Sequence, residues 1–557
     1  MPYIQSLLAR LEHLESLKDA LQNSPGHCAS VQLASPSPSS ADGMLHALSS
    51  QLNASKPPRS SFDVKFILQQ RSGDTSLFFG SSSVFALTVE ILNYARSKGF
   101  IADEPLTPVD LRDTNFENDL SPGRVPAIED MRALVSYYFL SMNKLYGFLD
   151  ASAAESDLNS YLELRPNGPL HGPQAHQYFR VSMICAIASA NQARYRPTRT
   201  ADSMAFYADA LTCVEEVTSE VSQDSLRALL LLILFCLFYP RKGDIWKLLD
   251  YACRLSIELG YHTEQEIGRV DERQRDLQRS TFWGLCAIER IVGQLFGRCS
   301  DLPQAIITTE YPTTASAPST GPGFARELSI AHHYRLVYLR SEIYQDLYLP
   351  ATLPDFDLQW YKERHATLVA WREELEFADD VASVVAVTCN VGYCATICFL
   401  FQPLMLRALS KTTELATGDG SGDGLGVIPQ DNYWAACELI KTYELVLRAP
   451  PDSSLGMYPM TFLSAHYIYL AGLTLMAHYL LALDGRVILL NPLAEEAGEF
   501  ALNGRPIDFG SISEVTGSCL VLLSWCADKF PGMEGMLSAF KRLSEKVVPA
   551  LIRRGLA

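Results

Sequence analysis

The chain has 557 residues, of which 48% are hydrophobic and 20% charged, with 46 Lys and Arg against 63 Asp and Glu and a formal net charge of −17. This length exceeds what one hydrophobic core serves, so about two to four packed sub-regions are expected, and the composition excludes a wholly disordered chain. The acidic balance repels a phosphate backbone, which argues against a free-standing nucleic-acid binder with a basic face.

In chain order, Met1 to Leu21 alternates leucines with charges and lacks a continuous apolar stretch, so no signal peptide is expected. Ile4, Leu7, Leu11, Leu14 and Leu21 fall on the a and d positions of a heptad repeat, with Lys18 on the same seam. This spacing predicts a coiled-coil dimerisation helix over residues 1–23, through which a homodimer or a heterodimer would form. An amphipathic helix packed on the body is the alternative, because isolated helices of about three heptads are marginal in water. Residues 24–61 are rich in Ser, Pro and Ala (SPSPSS at 35–40) and read as a linker.

From 62 to 557 the dominant period is helical. Leu226, Leu229, Leu230, Ile233, Leu234 and Leu237 repeat at three and four, and Trp246, Leu249, Ala252, Cys253 and Ile257 repeat after a turn at Pro240 to Gly243, which predicts a helical hairpin. Cys389 to Leu406 and Thr461 to Leu483 are apolar nearly all round, as the central helices of a bundle are. Loops are expected near 315–323 and 411–430; the glycines of the second (GDGSGDGLG) have no following Lys-Ser/Thr to make a phosphate loop. The longest unbroken apolar run, Ala228 to Tyr239, falls short of the roughly 20 residues that span a bilayer, so no membrane association is expected. The fold expected is all-α: a large multi-helix bundle with an N-terminal coiled-coil helix and at most minor strands.

The 13 cysteines are scattered and mostly inside apolar runs, which reads as reduced core residues. Cys394 and Cys398 share a helix face but lack neighbours to complete four metal ligands. His332-His333 has no carboxylate at ligand spacing, and Asp379-Asp380 is not followed by a third carboxylate. No HExxH, GxSxG or Walker motif occurs, so neither a catalytic group nor a metal or cofactor is expected, and the chain does not read as an enzyme. Trp246, His262, Phe282 and Trp283 read first as core. Arg290 and Arg298, eight apart near a helix end, fit either structural caps for terminal carbonyls and buried acids such as Glu289, or the charged rim of a ligand site. Trp246, His262, Trp283, Arg290 and Arg298 are thus the candidates for a regulatory pocket or loop.

Several segments, in this order, resemble the fungal-specific transcription factor domain, the middle homology region, of zinc binuclear cluster regulators. Ser225 to His262 resembles its long apolar helix, turn, Trp and second helix, ending in Leu259-Gly260-Tyr261-His262. Arg279-Ser-Thr-Phe-Trp283 through Glu289-Arg290 is similar to the family's Arg-x-x-Phe-Trp helix, with Glu289 where Asp is usual. Gly297-Arg298 and Leu302-Pro303 resemble its Gly-Arg-Pro loop, with Cys299 in place of Pro, which implies a less rigid loop. Leu77 to Ser83 resembles a short Phe-Gly-x-Ser segment, Leu134 to Leu149 a further helix with Gly147 in place of Pro, and Trp525 to Pro531 with Phe540 to Glu545 the usual ending.

The resemblance implies a transcriptional regulator of RNA polymerase II genes, commonly of one metabolic or secondary-metabolite pathway. It further implies a nuclear location, or a cytoplasmic one were the DNA-binding module truly missing, and a small-molecule effector among the signals received. The family's six-cysteine zinc cluster has no counterpart here, since Cys28 is the only cysteine before Cys185. DNA would then be reached only through a missing or a partner's zinc cluster. The rival reading is a metabolite-binding or catalytic protein on the same helical scaffold.

Overall fold

The computed structural model describes residues 80, 82–102, 128–161, 163, 168–267, 269–312, 329–349, 358–375, 383–410, 429–485, 509–530 and 532–555. The heptad residues Ile4, Leu7, Leu11, Leu14 and Leu21, the 24–61 linker, Asp379-Asp380 and the loops at 315–323 and 411–428 lie outside them. All described residues fall in one compact unit, Ser60–Ala557.

Among the described residues every regular element is helical. In order they are α1 (Val84–Ser97), α2 (Ile128–Leu140), α3 (Met142–Tyr146), α4 (Ala151–Tyr161), α5 (Gly172–Gln192), α6 (Arg199–Leu211), α7 (Val214–Val217), α8 (Gln223–Phe238), α9 (Ile245–Glu258) and α10 (Glu264–Ile267). There follow α11 (Glu272–Phe296), a 3-10 turn (Gln304–Ile306), α12 (Ile330–Tyr348), α13 (Leu358–Glu373), α14 (Val384–Ser410), α15 (Gln430–Arg448), α16 (Ser454–Met457), α17 (Phe462–Leu483), α18 (Phe509–Lys529) and α19 (Met533–Gly555).

Local chemistry sets many of the boundaries. Ser83, Ser222, Asp244 and Asp271 accept a hydrogen bond from a backbone N–H of the first turn of α1, α8, α9 and α11, satisfying a donor the helix leaves free. The Leu-Gly-x-His ending of α9 is a left-handed stop: Gly260 has φ +75°, and the Tyr261 and Gly260 N–H groups reach back to the carbonyls of Ser256 and Ile257. The expected helix over Leu134 to Leu149 is broken at Ser141, and Asn143 closes its end by bonding both the N–H and the C=O of Leu149 at 3.2 and 3.1 Å.

Two hubs organise the packing. α5 is surrounded by α2, α4, α6, α7 and α8, and α17 by α1, α14, α15, α18 and α19. α8 and α9 form the expected hairpin, and α11 and α12 run between it and α14. α14, α17 and α18 are each long and apolar enough to cross a membrane by length and composition; the apolar windows of the first two are 83% and 89% buried against other helices, that of α18 only 39%. Counting only unbroken apolar runs overlooked all three, because scattered Ser, Thr and His do not lower the mean hydropathy of a long helix enough to matter.

Candidate functional site

The candidate residues fall into two groups around α11. Its last turn ends at Gly297, φ +72°, where the N–H of Arg298 bonds the Gly293 carbonyl at 2.8 Å. The Gly80 segment arrives here: Gly80 N–H donates to Phe296 O at 3.1 Å, and Ser82 Oγ donates to Gln294 O at 2.8 Å across 212 residues of sequence. A Cβ on Gly80 or Gly297 would overlap the backbone of the other, so two distant motifs meet glycine against glycine.

Glu289 closes the loop that follows. It is 3% exposed and accepts from Ser300 Oγ and the Asp301 N–H, each at 2.8 Å. Burial pushes its carboxyl up to about 7, against the opposing effect of those two bonds and of Arg290. Tyr344 of α12 donates to the Arg298 carbonyl at 2.9 Å. The loop expected to be slack without its proline is therefore fastened by side chains from α11 and α12.

Among the described residues neither arginine caps it. Arg298 lies 4.0 Å over the ring of Trp246, which meets Phe296 edge-on at 5.4 Å. Arg290 is 3% exposed, its guanidinium 5.9 Å from the Tyr338 ring centre, and its buried Nε and Nη1 have no hydrogen-bond partner among the described residues. Among the described residues it makes no ion pair within 4.0 Å, and the oxygens of Glu289 accept from the loop. Arg290, Arg298, Glu289, Gln294, Ser300 and Tyr344 line a cleft of about 30 Å³, room for about two waters and far below the roughly 300 Å³ of the smallest metabolite pockets.

His262 and Trp283 brace a different segment. The His262 carbonyl accepts from the Thr308 N–H at 2.9 Å, Trp283 Nε1 donates to Glu310 O at 2.9 Å, and the Trp283 ring lies 4.4 Å from Tyr311. Arg279, at the start of the Arg-x-x-Phe-Trp motif, bonds Glu264 and Glu310, pinning the same segment. Trp283 is 3% exposed and belongs to the core.

Reasoning from sequence missed Gln294 and Arg340. Arg340 of α12 is 3% exposed, lies 4.4 Å over the Phe399 ring and donates from Nε to Gln294 Oε1 at 2.8 Å, its Nη1 having no hydrogen-bond partner among the described residues, while Gln294 Nε2 donates to Ser341 Oγ at 3.1 Å. The available signal was an arginine inside the apolar stripe Leu336, Val337, Ile343, Tyr344, Leu347. A second concavity, about 510 Å³ and open to solvent, is bordered by Asp150, Arg227 and Arg273; Arg273 is paired with Asp150. Among the described residues no group of three or more His, Cys, Asp or Glu is placed to hold a metal ion, and of the 12 free cysteines only Cys299 is exposed.

The fold and this corner define an all-helical scaffold whose motifs around α11 serve packing and loop closure. Residues 135–320 match the family model described as the fungal specific transcription factor domain, as the resemblance of the segments from Ser225 to Pro303 implied. It is similar to the pyrimidine pathway regulatory protein 1 of Saccharomyces cerevisiae, 27% identical over 35% of this chain and 23% of the relative. It is also similar to the transcription factor FBD3 of Gibberella moniliformis (23% identical; 36% of this chain, 27% of the relative). The positive regulator of purine utilization of Emericella nidulans is 20% identical over 45% of this chain and 30% of its own length. The matches thus span less than a third of each curated relative.

Proposed function

We propose that the chain is the regulatory and dimerisation region of a fungal transcriptional regulator, acting in the nucleus on the genes of one metabolic or secondary-metabolite pathway. The observation that carries this reading is the domain match over 135–320, together with relatives named as a pyrimidine pathway regulatory protein, a transcription factor and a positive regulator of purine utilization. With a net charge of −17, the chain is repelled by DNA even in the sequence-independent part of binding, so the DNA contact comes from a zinc cluster outside these 557 residues or on a partner. The heptad seam of Ile4, Leu7, Leu11, Leu14 and Leu21 supplies the dimer contact.

The test fuses residues 1–557 to a heterologous DNA-binding module upstream of a reporter, with a second fusion lacking residues 1–23. The full fusion changes transcription and is dimeric by light scattering; the shortened one is monomeric. A reporter indifferent to the fusion, or a specific shift of duplex DNA by the unfused chain at moderate salt, contradicts the proposal.

A further inference from the structure

α19 carries a positive face on an acidic chain. From residue 541 on it holds Lys541, Arg542, Lys546, Arg553 and Arg554 against one acid, Glu545, while the whole chain has a net charge of −17. Arg542, Lys546 and Arg553, spaced by four and seven, share one side of the helix and span about 16 Å. Lys546, Arg553 and Arg554 are exposed and make no ion pair within 4.0 Å among the described residues; Lys541 meets Glu545 at 3.9 Å. Cations in the last turn complement the helix dipole, but that effect does not reach back to Lys546. Like charges four apart repel, so an anionic cover over this face is stabilising.

The chain leads an acidic segment to the same place. Arg542 Nη2 donates to the Ala102 carbonyl at 3.0 Å, across 440 residues of sequence, and the next residues are Asp103 and Glu104. Asp110, Asp113, Glu117 and Asp119 follow, with Arg112 as the cation among them. Residues 103–127 join Ala102 to α2, and at about 3.3 Å per residue their reach is several times the length of the stripe. We propose that the Arg542–Lys546–Arg553 face of α19 is the docking site of this chain's own acidic segment, residues 103–119. The segment starts at the face, so its effective concentration there is of the millimolar order that a short tether gives, which a free anion must match. A DNA duplex is the poorer occupant, because it runs past the stripe over a chain of net charge −17. The contact stands whether or not the chain regulates transcription.

The full 557-residue chain is treated with a zero-length carbodiimide, which joins amines to carboxylates in contact, and the links are read by mass spectrometry. At low salt Lys546 should couple to carboxylates of 103–119, and the exposed Lys247 of α9 should not. Salt at about 1 M, where screening acts within about 3 Å, should cut the yield about fivefold or more. Arg553→Glu, which leaves Lys546 as reporter, should lower it severalfold at low salt, and so should Asp113→Asn with Glu117→Gln and Asp119→Asn. If Arg553→Glu does not melt cooperatively, the segment variant, which leaves α19 intact, decides. Lys546→Glu combined with Asp113→Lys and Glu117→Lys should link again, amine and carboxylate exchanged. The absence of a link from Lys546 to 103–119, or a yield indifferent to salt and to the segment variant, overturns the proposal. Links that join an isotope-labelled chain to an unlabelled one give the face to a second copy, and links lost on adding a short DNA duplex at equal ionic strength give it to nucleic acid; either outcome overturns it too.

Discussion

Two long helices, α11 and α17, differ in how far their buried polar groups reach. In α17 two polar side chains bond the helix's own backbone, Thr474 Oγ1 donating to Leu470 O and His466 Nδ1 bonding Phe462 O, each four residues back, and two meet neighbouring helices, Tyr469 at Thr88 of α1 and His478 at Asn432 of α15. In α11 most of the polar side chains reach loops and other helices. Arg279 holds Glu264 and Glu310, Trp283 holds Glu310, Glu289 holds the 300–301 loop, and Gln294 joins Arg340 and Ser341. A helix that is apolar nearly all round mainly fills space, whereas one whose polar side chains reach across to loops fixes where those loops and partner helices lie. α17 is the filler of this fold and α11 the joint.

The sharpest way to break that contrast is to remove apolar bulk from both. Leu473, fully buried in α17, should cost about 2 to 5 kcal/mol as Ala. Trp283→Ala should cost about 3 to 5 kcal/mol, and because the ring also anchors the 307–311 segment it should expose that segment to amide exchange, which Leu473→Ala should not do selectively. Chemical denaturation with hydrogen exchange separates the two; equal exchange patterns would mean that α11 is filler as well. The next effect is smaller. Gly297→Ala places a Cβ at positive φ against the Gly80 backbone and should cost about 2 to 4 kcal/mol, loosening the Gly80–Ser83 contact while leaving the α17 core protected. An unchanged melting temperature would show that the two glycines do not need each other.

The helices were legible because apolar spacing and caps are local. The α8–α9 hairpin and the central positions of α14 and α17 follow from periods of three and four, and the stops at Gly260 and Gly297 are inherent in glycine past a helix end. The site was legible only in part. Arg290 and Arg298 share α11 and its exit loop, so sequence spacing brings them near each other, and Trp246 was marked beside them. That Arg298 stacks on Trp246, that Glu289 rather than an arginine closes the loop, and that Arg340 and Gln294 complete the polar corner are contacts between separate elements, which no local pattern encodes. The same limit applies to Gly80: its motif was visible, but the reason for it, the close approach of Gly297, lies more than two hundred residues on.

Glu289→Gln tests the electrostatics of the joint with the least disturbance. The folded carboxyl is raised from 4.5 to about 7 by burial, so the folded state holds its proton more tightly than the unfolded chain. That difference stabilises the protein fully below about pH 4.5 and is lost as pH rises through about 7. Glutamine keeps an acceptor for the Asp301 N–H and a polar partner for Ser300, but never ionises. Relative to wild type, the variant should therefore gain stability between pH 5 and 8, reaching at most about 3 kcal/mol. Other groups titrate in this range with the opposite sign: burial lowers His333, His365 and His478 to about 4, and each of these loses its contribution as pH falls. Their effects are common to both proteins and cancel in the difference between the two stability curves. Urea unfolding at pH 5, 6, 7 and 8 gives that difference directly; a flat difference curve would mean that Glu289 stays ionised in the folded state, with Arg290 serving as its counter-ion after all.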